Sequence, residues 1–405
     1  MMRRHRWWSV PLAVALAGSL SHCAAPPERA ARAPAPLQAP VVTPAPASVT
    51  PAPAVTPAPV PAPKPEPPRV ESSAAAAKPG PEQKPPAPSA AAVTLLLPLD
   101  SPDFRTAADA FRQGFLAAQT STAGRTPLDV RATDASPEGI LREYSAALAA
   151  GTRVVVGPLT RSGVSVVAGA PAGSAIVLAL NQPETPIALP PRFFTFGLAV
   201  DAESRVVARA AWEQGFRNAV VLSSGTPLAR RSGEAFAAEW QALGGRVVAT
   251  HEAPAGADYS ALRAALGRAQ FDVAFLAAEA GAGRLLRPYL GTTPAIFATS
   301  QINDGRADPV ANLDMNGVRF ADMPWMVQPT SAAVMGYPRP QGLAPDLERF
   351  YALGIDAQRI TTQLAEGRTN FAFDGVTGRV AVGAGGPIER RPVVVIYRQG
   401  APAAE

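Results

Sequence analysis

The chain has 405 residues, of which 45 are proline, about twice the usual share. Twenty-one of these prolines lie between Ala24 and Ala92, where they disfavour helix and sheet formation. The 313 residues from Val93 to Glu405 are enough for one large domain or two lobes. They carry 28 arginines, no lysine, 15 aspartates and 13 glutamates, so their formal charge is zero. A chain without a basic stripe is not expected to bind nucleic acid.

Residues 1–22 are predicted to be a lipoprotein signal peptide. A basic head precedes an apolar run from Trp7 to Leu20, which is too short to span a bilayer comfortably. The run ends in Leu20-Ser21-His22-Cys23, which resembles the lipobox of bacterial lipoproteins except that His22 replaces a small residue. Cys23 is the only cysteine, so no internal disulfide can form, and we expect it to carry the lipid, including palmitate. An ordinary cleaved leader with an incidental cysteine is the alternative.

The two residues after Cys23 are alanines, and no aspartate follows the cysteine directly. By resemblance to bacterial lipoproteins, this pattern favours the periplasmic face of the outer membrane over retention in the inner membrane. Residues 23–92 would then form a lipid-anchored, disordered Pro/Ala-rich linker in which polyproline II segments act as a tether. A disordered tail with no such role is the alternative.

From Val93 onward, short apolar runs alternate with amphipathic stretches, which predicts βα units and a parallel sheet. The predicted strands are Val93–Leu97, Leu128–Ala132, Arg153–Val156, Ala175–Leu180, Ala219–Leu222, Arg246–Ala249, Val273–Leu276, Ala295–Ala298 and Val318–Ala321. The predicted helices are Thr106–Gln119, Pro137–Ala149, Glu203–Gln214, Leu228–Leu243, Tyr259–Ala269 and Ala282–Tyr289. The tail differs, because Phe371–Phe373, Arg379–Val382 and Pro392–Tyr397 are predicted strands without helices between them.

Two successive βα series predict an α/β protein with two doubly wound, Rossmann-like lobes and crossing hinge segments. We expect the domain to cover residues 93–399, with lobe 1 at about 93–196 and 345–370. Lobe 2 is expected at about 197–330 and 371–399.

Ligands of such sheets bind at the carboxyl ends of the strands, at the topological switch point. The loops expected there contain hydroxyl, amide and guanidinium groups that could hold a small ligand. These candidate cleft residues are Ser101, Thr160, Arg161, Asn181, Ser223, Ser224, Thr226 and Ser300. Ordinary helix capping by the loop that includes Thr226 is the alternative interpretation.

The folded region lacks the residues that most catalytic motifs require. His251 is its only histidine and it has no cysteine, which rules out Cys-His pairs and zinc sites of several His or Cys. A phosphate-binding P-loop needs a lysine, and none is present. We therefore expect no enzyme activity, no metal and no cofactor.

Several strings together resemble the LppC/LpoA family of outer-membrane lipoproteins, the penicillin-binding protein activators. The most specific are ATSQINDG (Ala298–Gly305), DMPW (Asp322–Trp325) and YALGIDA (Tyr351–Ala357). The resemblance implies a type I periplasmic-binding-protein fold and a non-catalytic activator of a class A penicillin-binding protein, which regulates peptidoglycan synthesis and cell shape. Longer members carry an N-terminal helical-repeat domain, and here the Pro/Ala-rich segment takes its place.

Two further hypotheses complete the prediction. Asp322 and Trp325 could contact a partner or pack between the lobes, and a contact with peptidoglycan is left open. The rival function is that of a lipid-anchored solute-binding or sensor protein that closes its lobes on an amino acid or peptide-like ligand.

Overall fold

The computed structural model describes residues 92–121, 127–171, 173–292, 294–306, 308–383 and 385–405. These belong to one structural unit, Gln83–Glu405. The predicted signal peptide, Cys23 and residues 24–91 of the predicted linker lie outside the described residues.

The first βα series has eight elements. They are β1 (Val93–Leu97), α1 (Arg105–Thr120), β2 (Leu128–Ala132), α2 (Pro137–Ala149), β3 (Val154–Val156), α3 (Arg161–Ala168), β4 (Ile176–Ala179) and β5 (Phe193–Thr195). The second series has nine: α4 (Val200–Glu213), β6 (Asn218–Ser223), α5 (Pro227–Ala242), β7 (Arg246–Glu252), α6 (Tyr259–Arg268), β8 (Val273–Ala277), α7 (Ala280–Leu286), β9 (Ala295–Ala298) and β10 (Val318–Asp322).

The last part of the described chain connects the two series. It contains α8 (Pro324–Val327), α9 (Ala332–Met335), α10 (Pro345–Ala365), β11 (Phe371–Gly375), β12 (Gly378–Val382), β13 (Gly386–Pro387), β14 (Glu389–Arg391), β15 (Val393–Arg398) and β16 (Ala401–Ala404).

Both large sheets have the doubly wound strand order. Sheet 1 runs β13-β5-β4-β3-β1-β2 and its described pairs are all parallel. Sheet 2 runs β16-β15-β10-β9-β8-β6-β7, with β15 and β16 added antiparallel at one edge. Strands β1–β5 and β6–β10 therefore repeat the order 2-1-3-4-5, whose switch point lies between the first and third strands. This confirms the predicted α/β fold with two Rossmann-like lobes.

The central strands of each sheet are buried on both faces, as expected for parallel sheets. In β1, Leu95 packs into a cluster with α1 and α10, whereas Leu96 packs on the opposite face with α2 and α3. In β6, Val220 and Val221 divide in the same way between two clusters of lobe 2. Successive apolar side chains of a strand point to opposite faces of the sheet, so helices pack on both faces.

The tail is divided between the lobes, which corrects the predicted assignment of 371–399 to lobe 2. Strands β11, β12 and β14 form a separate three-stranded sheet, and β13 joins sheet 1. Val380, Val382 and Ile388 are buried in the core of lobe 1. Of this tail, only β15 and β16 belong to sheet 2. The physical reason is the apolar alternation of β12, which directs Val380 and Val382 into the lobe 1 core.

Helix α10 belongs to lobe 1 because it packs along α1 over much of its length. The two helices approach closely at a pair of glycines. A Cβ on Gly114 would overlap the carbonyl oxygen of Tyr351, and a Cβ on Gly354 would overlap that of Phe111. These two glycines allow backbone-to-backbone contact, which anchors α10 and orients its charged side chains.

Candidate functional site

In lobe 2, the predicted residues Ser224 and Thr226 meet a carboxylate at the switch point. Ser224 Oγ donates to Glu279 Oε2 at 2.9 Å, and Thr226 Oγ1 donates to Glu279 Oε1 at 2.5 Å. Burial acts to raise the pKa of Glu279, but the hydrogen bonds from Thr226 and Ser224, with one from the backbone, outweigh it and leave the pKa below its usual value. Thr226 also caps α5 by accepting from Ala229 N, and Ser223 Oγ accepts from Gly225 N. These hydroxyls hold the loops together.

In lobe 1, the predicted site residues also form hydrogen bonds with groups of the same loops. Thr160 Oγ1 caps α3 by accepting from Gly163 N, and Arg161, at the first position of α3, donates to the carbonyls of Pro183 and Glu184. Asn181 Nδ2 donates to Leu159 O at 3.1 Å. Ser101 is buried in the loop after β1. Thr160 thus ends the loop after β3, and Arg161 and Ser162 belong to α3.

Ser300 lies apart from the Ser224 cluster and belongs to a buried ionic arrangement. Its Oγ donates to Glu203 Oε2 at 2.7 Å, and its backbone N donates to the same oxygen at 3.2 Å. The other carboxylate oxygen accepts from Arg390 at 2.8 Å, and the Glu203 and Arg390 side chains are only 5% and 4% exposed. Helix α4 of lobe 2 is thereby fixed to β14 of the three-stranded sheet.

A second buried ion pair joins Asp322 at the end of β10 to Arg349 on α10. The guanidinium lies 2.8 Å from Asp322 Oδ2 and donates to the carbonyl oxygens of Asn303 at 2.9 Å and Ser300 at 3.4 Å. Asp322 is fully buried and also accepts from Asn303 Nδ2 at 2.9 Å. Tyr397 completes the group by donating to Asn303 Oδ1 at 3.3 Å.

Ser300 contacts both ion pairs, because its hydroxyl donates to Glu203 and its carbonyl oxygen accepts from Arg349. Thr377 connects Arg390 to a further buried carboxylate, that of Asp356. The Thr377 carbonyl oxygen accepts from Arg390, while its backbone N and its hydroxyl donate to Asp356 Oδ2 at 2.8 and 2.7 Å. Asp356 lies on α10, two turns beyond Arg349, and burial raises its pKa despite these hydrogen bonds. We call Glu203, Ser300, Asn303, Asp322, Arg349, Asp356, Thr377 and Arg390 the hinge network.

A cavity of about 370 Å³ adjoins the hinge network. It is lined by Glu279, Ser300, Asp304 and Arg306 from lobe 2, and by Asp346 and Arg349 from α10. The lining is polar and carries both signs of charge. Such a cavity could admit a small polar molecule, but its main acceptors are already bonded to protein donors.

Trp325 is an internal residue. It is fully buried, its ring lies 5.4 Å from that of Tyr351, and its Nε1 donates to Glu348 Oε2 at 2.9 Å. The Arg339 guanidinium lies over the Trp325 ring, 4.2 Å from its centroid. Of the two roles considered for Asp322 and Trp325, this position corresponds to packing between lobe 2 and α10.

The sequence indicated Ser300 and Asp322 but missed Glu203, Arg349 and Arg390. Glu203 could have been found, because it lies three residues after Val200 and four before Val207, both on the buried face of α4. Arg349 gave no such signal, since α10 was not among the predicted helices and many of its residues are buried.

Two further properties concern only the part of the chain that the structure describes. No helix there combines the length and the apolar character needed to cross a bilayer. Nor do three His, Cys, Asp or Glu side chains gather there in a way that could hold a metal ion.

The protein-family model described as "LppC putative lipoprotein" matches residues 88–262 and 260–400. Curated relatives include the penicillin-binding protein activator LpoA of Yersinia pseudotuberculosis, 28% identical over 76% of this chain and 60% of the relative. LpoA of Haemophilus influenzae is also 28% identical, over 76% of this chain and 54% of the relative. The chain therefore spans little more than half the length of these curated relatives.

Solved structures of similar fold include the C-domain of Haemophilus influenzae LpoA, described as a regulator of PBP1A. It is 25% identical with a TM-score of 0.64, and the match covers 77% of this chain and 99% of that domain. A protein of Chromobacterium violaceum, described as a putative branched-chain amino acid ABC transporter, is 33% identical with the same TM-score, over 75% and 99% of the two chains. The fold is thus that of LpoA C-domains and of periplasmic binding proteins of ABC transporters. Because the family match spans most of the sequence and both lobes, this chain belongs to the LppC lipoprotein family.

Proposed function

We propose that this protein is a non-catalytic lipoprotein of the outer membrane that binds and activates a class A penicillin-binding protein, and so regulates peptidoglycan synthesis. The observation that carries the proposal is the match to the LpoA C-domain over 99% of that domain's length. A regulator of this kind needs a stable surface rather than reacting groups. The hinge network, in which charged side chains pair with one another inside the protein, suits such a role.

Membrane attachment through Cys23 is part of this proposal. Its support is the lipobox-like sequence and the membership in a lipoprotein family. Metabolic labelling with an alkyne analogue of palmitate should mark the wild-type chain and not Cys23→Ser. Fractionation of labelled cells should place the wild-type chain with the outer membrane, and label that persists in Cys23→Ser would contradict the proposed anchor.

Binding to the partner is tested with the full chain in detergent and the class A penicillin-binding proteins of the same organism, each immobilised in turn. We expect saturable binding to at least one of them and none to a monofunctional transpeptidase. A chain that begins at Gln83 should bind equally well, because the family match starts at residue 88. Absence of binding to every class A protein would overturn the proposal.

A solute-binding role is the second candidate, and one comparison favours it. The Chromobacterium violaceum protein is more similar in sequence than the LpoA C-domain, 33% against 25%. A thermal shift produced by L-leucine or by a peptidoglycan stem peptide, combined with no binding to penicillin-binding proteins, would favour this candidate.

A further inference from the structure

The carbonyl oxygens of Ser300 and Asn303 and the carboxylate of Asp322 follow β9 and β10 at the carboxyl edge of sheet 2. All three accept from one terminal nitrogen of the Arg349 guanidinium. A cation from the protein itself therefore binds these acceptors, and Ser300, Asn303 and Arg349 line one cavity with Glu279, which lies at the switch point.

This cation comes from the opposite lobe. Arg349 lies on α10, whose Leu353, Ala357 and Ile360 are buried in the core of lobe 1. Asp322 terminates β10 in sheet 2. The ion pair thus crosses the junction of the lobes, and the Arg349 side chain is only 10% exposed there.

A second crossing contact reinforces the first. Glu203 on α4 of lobe 2 pairs with Arg390 on β14, and Arg390 is connected through Thr377 to Asp356 on α10. Helix α10 therefore holds lobe 2 at two positions, once directly and once through the three-stranded sheet.

Hinge opening rotates the lobes about their crossing segments. A rotation that separates Arg349 from Asp322 leaves both charges without partners, which is unfavourable for buried groups. We propose that Arg349 acts as a built-in ligand, which holds the two lobes in one arrangement and removes the need for a diffusible solute to close them. The domain is then a fixed scaffold in which ligand-driven closure is replaced by an internal arginine.

The test measures the distance between the lobes in the full chain by pulsed electron resonance. Spin labels are attached to cysteines introduced at Arg142 on α2 and Leu285 on α7, both exposed, in a Cys23→Ser background. The expected result is one narrow distance population, unchanged by millimolar L-leucine. Two populations without ligand, or a shift on addition of leucine, would overturn the proposal.

The same measurement on Arg349→Met should show a second population at a different distance. Millimolar guanidinium should restore the single population, because the ion can fill the site left by the missing side chain. The matched control is Arg230→Met, which removes an arginine from an exposed pair with Glu252 inside lobe 2 and should leave the distance unchanged. A wild-type distance distribution in Arg349→Met would overturn the proposal.

Loss of Arg349 alone leaves Asp322 buried without its ion-pair partner, so this variant could fail to fold. Should circular dichroism show it to be unfolded, Asp322→Asn combined with Arg349→Met removes both charges and takes its place. A second population in the double variant supports the built-in ligand, and a single wild-type population contradicts it.

Discussion

Replacement of Arg390 by methionine tests how much the Glu203–Arg390 pair contributes to stability. The two side chains are 5% and 4% exposed, so solvent cannot screen the carboxylate once the guanidinium is removed. Glu203 would keep its hydrogen bonds from Ser300 but lose its charge partner. Removal of one member of a buried ion pair typically costs about 3–5 kcal/mol. At roughly 2 °C per kcal/mol for a domain of this size, the midpoint of thermal unfolding should fall by about 6–10 °C.

The neighbouring residue provides the matched control. Arg391 pairs with Glu389, but these side chains are 63% and 50% exposed. Exposed pairs of this kind contribute about 0–1 kcal/mol, so Arg391→Met should change the midpoint by no more than about 2 °C. Both variants are followed by circular dichroism during heating and by urea unfolding. Equal midpoints for Arg390→Met and Arg391→Met would refute the reasoning that burial makes the Glu203–Arg390 pair contribute more to stability than the exposed pair.

Three further predictions concern packing and pH. Gly114→Ala should destabilise the protein by about 1–3 kcal/mol in urea unfolding, because the new methyl group meets the Tyr351 carbonyl. Gly267→Ala in α6 should instead stabilise it by about 0.5–1 kcal/mol, since nothing lies within 4 Å of the new Cβ, and a loss would contradict this. The lowered pKa of Glu279 means that its contribution to stability is present above the pKa of the unfolded chain and is lost as pH falls through the folded pKa. Ser224→Ala should therefore raise the pKa of Glu279 and reduce the loss of stability in acid, and an unchanged pH profile would exclude this role of the hydroxyl.

The sequence predicted the two βα series well because the apolar period is unambiguous there. The bounds of β1, β2, β9 and α2 agree with the structure. Helix α10 was not among the predicted helices, although residues 345–370 were assigned to lobe 1. Strand β13 was missed because two residues, one of them proline, carry no strand pattern.

The sequence predicted only those residues of the candidate site whose contacts lie close to them in the chain. The residues that cap helices or bind their own loops follow from turn chemistry, as Thr160 and Thr226 illustrate. The hinge network depends on contacts between residues far apart in the chain, such as Glu203 with Arg390, which are 187 positions apart. Spacing within one segment cannot reveal such pairs. A buried charge on an otherwise apolar helix face, as at Glu203, is the one local sign that a distant partner exists.

The most direct test of the proposed function is the rate at which the organism's class A penicillin-binding protein polymerises and crosslinks glycan strands as increasing amounts of the full chain are added. We expect both rates to rise and then saturate, with the same half-maximal amount in polymerisation and in binding. Unchanged rates at amounts that saturate binding would contradict the activator function, and unchanged rates without any binding would leave solute binding as the better explanation.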